Sequence, residues 1–193
     1  MKPIPTLVFA LIGLIISSGP AFSEPLTNPL PAHWIAKPGE VLLTYKVYSF
    51  LHSPEGSTSA GVVTATVEAG RVRFGGRVSA ASFKSSSSGR DENMRKALET
   101  DKFADIVITG EGPLCSPSPS CEIPLDAGVT LHGVTQPYRF PVKIEPADGN
   151  RVRATFQINL AIMSHGVDRP GIGPLKIKDD VLVTGNVTLA PAP

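Results

Sequence analysis

Four histidines, two cysteines and one Ser-His-Asp run are the residues with chemistry to offer. His33, His52, His132 and His165 lie in well-separated segments, and none stands at helical or strand spacing from another histidine or a thiol. Such scatter supplies no preformed metal site, which needs several ligands at matched spacing. Ser164, His165 and Asp168 suggest a nucleophile with its base. Adjacent residues of a strand point to opposite faces, however, and the sharp strand-to-helix turn that presents a nucleophilic serine has no counterpart here. His132 precedes Gly133 and is expected to cap a tight turn through its ring nitrogens. Cys115 and Cys121 bracket Ser116, Pro117, Ser118, Pro119 and Ser120. Five intervening residues do not match the two of a redox motif, so a structural disulfide is expected. Gly75-Gly76 and Gly171-Ile172-Gly173 lack the setting of a phosphate loop, and the first pair is expected to bend or bulge a strand. No catalytic residue, cofactor or metal ligand is assigned.

The elements that would position these residues begin with an export signal. Lys2, an apolar run over 7–16 and Ala21-Phe22-Ser23 read as a secretory signal peptide spanning 1–23. That run is short for a membrane span and no second one follows, so no integral span is expected once the signal is removed. The formal net charge of +1 falls to 0 with the loss of Lys2, which leaves no electrostatic footprint for nucleic acid. With 18% charged residues, 18 Gly and 19 Pro, the chain is also too poor in charge and too rich in breakers for a coiled coil. Pro25, Pro29, Pro31 and Pro38 mark 24–39 as a leader that Trp34 and Ile35 pin to the domain, and 40–190 is the domain itself.

Within that domain the dominant signal is alternation. Strands are expected over 41–50, 61–68, 71–81, 105–110, 122–131, 136–145, 151–162 and 179–189, with a turn cluster at 53–57. Along 151–162, Val152, Ala154, Phe156, Ile158, Leu160 and Ile162 oppose Arg151, Arg153, Thr155, Gln157 and Asn159. Along 71–81, Val72, Phe74 and Val78 oppose Arg71, Arg73 and Arg77, which form a solvated outer face or, alternatively, contact an anionic headgroup at the barrel mouth. One helix is expected over 89–103, capped by Ser88, with Asp91 and Glu92 in its first turn and Met94, Leu98 and Phe103 on one stripe. One-sided alternation in eight strands predicts an all-β fold, an eight-stranded antiparallel barrel with one inserted helix; a two-sheet sandwich shares the same periodicity.

Three segments resemble a known family. Ser82-Phe83-Lys84-Ser85, Gly89-Arg90-Asp91-Glu92-Asn93-Met94-Arg95 and Lys102-Phe103-Ala104-Asp105-Ile106 are similar to the middle motif of the YceI-like family. Thr130-Leu131-His132-Gly133-Val134-Thr135-Gln136-Pro137 is close to its T-L-H-G-V-T-x-P segment, and 161–183 resembles its carboxyl-terminal signature. Asn93 replaces the usual histidine of the middle motif, and the Cys115–Cys121 loop is an elaboration. The resemblance implies a lipocalin-like barrel around an apolar tunnel, binding a polyisoprenoid or other long-chain amphiphilic lipid in the periplasm, with no catalytic residue to carry over.

The inward-facing candidates for the ligand wall are Val47, Val72, Phe74, Val78, Phe83, Phe140, Val142, Phe156, Ile158 and Leu160, with Met94, Leu98 and Phe103 of the helix packed on the barrel or covering one opening. Each methylene taken from water contributes roughly 0.8 kcal/mol, so a long chain needs no catalytic group to be held. Two other readings remain open at this point. One is a stress-response interaction module whose barrel is fully packed, and the other is an enzyme or redox accessory using His132 or His165. A homodimer is compatible with all three.

Overall fold

The computed structural model describes residues 33–50, 53–171 and 176–192. The expected signal peptide, most of the proline-rich leader and His52 lie outside these residues.

Eleven strands form one antiparallel sheet: β1 (His33–Ala36), β2 (Val41–Val47), β3 (Glu55–Thr58), β4 (Val62–Glu68), β5 (Arg71–Ser79), β6 (Lys84–Ser85), β7 (Asp105–Pro113), β8 (Cys121–Leu131), β9 (Val134–Ala147), β10 (Arg151–Ala161) and β11 (Asp180–Pro191). Three pairs of these are single staves broken by a bend. β1 and β2 both pair with β11, β4 and β3 pair with β1 and β2 in turn, and β5 and β6 pair with β4 and β3. Because β1 bonds to β4 on one side and β11 on the other, the sheet closes into an eight-stranded antiparallel barrel.

Alternation decides the inside. In β8, Ile123, Leu125, Ala127, Val129 and Leu131 are all 8% exposed or less, while Glu122, Pro124 and Asp126, which alternate with them, face solvent. Tight turns link the strands at both ends. Ala69-Gly70 and Asp148-Gly149-Asn150 turn the chain at what we call the hairpin end, together with the Leu114–Ser120 loop closed by the Cys115–Cys121 disulfide. The other, helix end carries the His132-Gly133 turn, where both residues have positive φ (51° and 75°), and the only α-helix among the described residues, α1 (Ser88–Ala97).

Several local expectations are corrected. The helix is shorter than 89–103: Ser87, not Ser88, caps it by accepting the Arg90 N–H, and the left-handed Glu99 (φ 44°) just beyond its end stops it from continuing to Phe103. The 53–57 cluster is not all turn, because Glu55–Thr58 finds a partner edge on β2. The strand beginning at Val41 ends at Val47 rather than at 50. His33–Ala36 is a barrel strand rather than leader, bonded on both edges. Ile162 leaves its strand for a 3-10 turn, Ile162–His165. The Gly75-Gly76 pair introduces no bulge, since β5 pairs in unbroken register with both neighbours. A side chain at Gly76 would instead come within 2.9 Å of Ile108 Cγ2. Among the described residues no helix is long and apolar enough to cross a membrane.

Candidate functional site: an apolar bore

The barrel interior is not filled. A cavity of about 180 Å³ runs between the inner faces of the strands, an order of magnitude above the ~10–15 Å³ that a single water requires. Its wall is apolar almost throughout. Arg77 is the one charged residue that borders it, and its side chain points outward to Asp105 at 3.6 Å. Inward residues such as Val72, Phe74, Phe156 and Val183 are only half-buried despite facing the centre, because part of their surface borders the cavity.

Eight of the residues expected on the wall stand there: Val72, Phe74, Val78, Phe140, Val142, Phe156, Ile158 and Leu160. The other five do not border the cavity. Val47 and Leu98 pack instead against a second cluster, Leu131, Ile162, Val167 and Val181, which fills the barrel at the helix end. Phe83 meets the edge of Tyr45 with ring centroids 5.7 Å apart, and Phe103 meets His132 at 4.5 Å. Met94 is half-buried on the helix. Leu98 is thus the member of the helical stripe that helps to close an end. Further wall residues come from β7 and β8, among them Ile106, Ile108, Ile123, Leu125 and Val129. Their signal was in the sequence, because 123–131 alternates without a break.

Of the polar residues singled out by their chemistry, His132, Ser164, His165 and Asp168 sit around the helix end, while His33 lies at the hairpin end with its Nδ1 3.4 Å from the Thr66 hydroxyl. His165 is fully buried; its Nδ1 lies 2.9 Å from the Val134 carbonyl and its Nε2 2.9 Å from the Tyr138 hydroxyl. A carbonyl only accepts, so Nδ1 donates, and in the neutral ring Nε2 takes the tyrosine hydrogen. Ser164 donates to the Ala161 carbonyl at 2.6 Å, and Asp168 is exposed. Ser164 and His165 belong to the 3-10 turn rather than to a strand, and no Ser-His-Asp relay is assembled. His132 does not cap its own turn. Its Nε2 lies 2.9 Å from Glu99 Oε2 and ties the β8–β9 turn to the end of the helix. Lys102 and then His132 hydrogen-bond to Glu99 and hold its carboxyl below the ordinary range, while Glu99 raises Lys102 in return. Burial, reinforced by the Asp91 charge, pushes the Tyr45 hydroxyl up.

On the outer face, Arg71 and Arg73 pair with Glu111 at 2.8 and 3.6 Å, and Arg73 also reaches Glu68 at 3.4 Å. These pairs are solvent-exposed and contribute little to stability. Among the described residues no group of three or more His, Cys, Asp or Glu is placed to hold a metal ion.

The same architecture occurs in solved structures. BcnA of Burkholderia cenocepacia superposes with a TM-score of 0.66 at 10% identity, over 80% of this chain and 99% of that one. A polyisoprenoid binding domain from Saccharophagus degradans, implicated in plant cell wall breakdown, gives 0.64 at 12% identity, over 84% and 99%. The Campylobacter jejuni YCEI protein gives 0.52 at 13% identity, over 60% and 70%. At these identities the likeness is one of fold. No curated protein matches the sequence. The YceI-like domain description matches residues 39–189, the stretch that builds nearly all of the barrel, and the chain therefore belongs to the YceI-like family.

Proposed function

We propose that the barrel is a binding protein for a long apolar chain, a polyisoprenoid or another long-chain amphiphilic lipid, held along the bore without chemical conversion. The observation that carries this reading is the unfilled cavity with its almost wholly apolar wall. Burial of about ten methylenes contributes roughly 8 kcal/mol before the costs of immobilising the chain, enough for useful affinity with no charged contact. A fully packed interaction module would have no use for such a space, so the cavity favours chain binding. The polyisoprenoid-binding description of the Saccharophagus degradans neighbour agrees with this reading at the level of fold. The candidate contacts are the eight wall residues anticipated from the sequence together with those of β7 and β8.

The protein acts outside the cytoplasm, as a periplasmic carrier or buffer. Its Cys115–Cys121 disulfide suits an oxidising compartment, and the pattern of 1–23 suits export. The experiment is native mass spectrometry of protein purified from its own host. The expected result is a bound species released with the mass of a long-chain lipid. Protein that carries none, and that after delipidation takes up no long-chain alcohol or isoprenoid, would remove this function.

A further inference from the structure

Three aromatic rings line the bore, those of Phe74, Phe140 and Phe156. Two of them lie beside a glycine of the neighbouring strand: Phe156 pairs with Gly185, and Phe74 with Gly110. The two glycines differ in what surrounds them. A Cβ at Gly110 would run into backbone, with the Ala127 Cα 2.8 Å away, so that glycine serves the close approach of β7 and β8. At Gly185 the three nearest atoms all belong to the Phe156 ring: Cδ1 at 2.9 Å, with Cε1 and Cζ nearer still. The Phe156 ring therefore occupies the volume that a side chain at position 185 would take.

We propose that Gly185 sets the bore of the barrel, by giving the Phe156 ring a seat against the wall. This inference rests on the reading of the bore as a chain-binding site and names the position that decides what fits there. A ring is the far end of a side chain with two rotatable bonds, so it yields to a new methyl group where backbone would not. Phe140, itself buried with its ring centroid 5.4 Å from that of Phe156, blocks one direction of retreat. The open direction is the bore, which Phe156 already faces. A methyl group at position 185 thus narrows the cavity without moving a strand, and it also removes the conformational freedom that glycine brings to the unfolded chain.

The test uses Gly185→Ala, alone and combined with Phe156→Leu, with two probes. Geranylgeraniol reports chain binding, and xenon, taken up by crystals under pressure, reports the space itself. Wild-type protein is expected to bind both. Gly185→Ala is expected to fold, to lose xenon beside residue 156, and to bind geranylgeraniol roughly tenfold more weakly, as loss of room for about two methylenes implies. The double variant is expected to regain both. Unchanged xenon uptake and affinity in Gly185→Ala, a loss that Phe156→Leu does not restore, or a Gly185→Ala chain that fails to fold would each overturn the proposal. Should wild-type protein take xenon but neither geranylgeraniol nor a straight long-chain alcohol, chain binding fails as a function, and the role of Gly185 is decided by xenon alone. If it refuses xenon as well, both fall.

Discussion

Asp91 carries more of the fold than a helix-end acid is expected to. It is buried at 5% exposure, and its Oδ1 accepts the Ser85 N–H at 2.8 Å, which fastens α1 to β6. Hydrogen bonding from Ser85, through its side chain and then its backbone, holds the carboxyl below its ordinary 3.8 against the opposing cost of burial, with Lys84 and Arg95 assisting. A carboxyl lowered in the folded state binds fewer protons there than in the unfolded chain. Its stabilisation is complete above the unfolded pKa and disappears as pH falls through the folded one. Asp91→Asn is therefore expected to melt below wild type at neutral pH, with the gap narrowing as the pH drops below about 4. Melting temperatures across pH 2–7 check this, and a gap that widens in acid contradicts it. The sequence placed Asp91 in a first helical turn, where the dipole favours acid, and that much was legible. Its bond to Ser85 was not, because the contact depends on how the helix docks. His165 teaches the same: its type invited catalysis, and only its partners Val134 and Tyr138 reveal a saturated, buried ring.

At the level of elements, the β7–β8 hairpin shows what alternation reveals and what it leaves out. Its faces follow from the side-chain period of two, and its cysteines announced a bridge. The bends that split three staves are less visible, since each needs a neighbouring strand to define it. Thus 53–57 looks like a turn until β2 supplies an edge for Glu55–Thr58. The disulfide sits at the hairpin end, where Cys115 packs against the main core cluster. Closing so short a loop restricts the unfolded chain and is worth about 2 kcal/mol. Urea unfolding with and without reductant is expected to show that loss as a lower midpoint, while binding of a long-chain alcohol by the still-folded protein changes little. A midpoint indifferent to reductant would mean that the bridge does not stabilise the barrel.

The whole molecule adds direction. Period-two patterning tells which residues face inward but not how high each sits in the barrel, because height depends on register between strands far apart in sequence. Val47 and Val72 carry the same signal, yet Val72 borders the cavity and Val47 belongs to the cluster at the helix end. That cluster, with Leu131, Ile162, Val167 and Val181 buried at 8% exposure or less, packs the helix end of the barrel. On the proposed chain-binding reading, a chain is expected to enter from the hairpin end, with its apolar tail towards the cluster and its polar head near the turns. Trp34, the single tryptophan, is placed to read this orientation. It lies opposite Ala65 of the cavity wall, on the strand that starts at the hairpin end. Long-chain alcohols brominated close to the hydroxyl are expected to quench Trp34 fluorescence more strongly than those brominated near the terminal methyl. The reverse order would place the tail at the hairpin end, and it would require the packed cluster at the helix end to open for the head group.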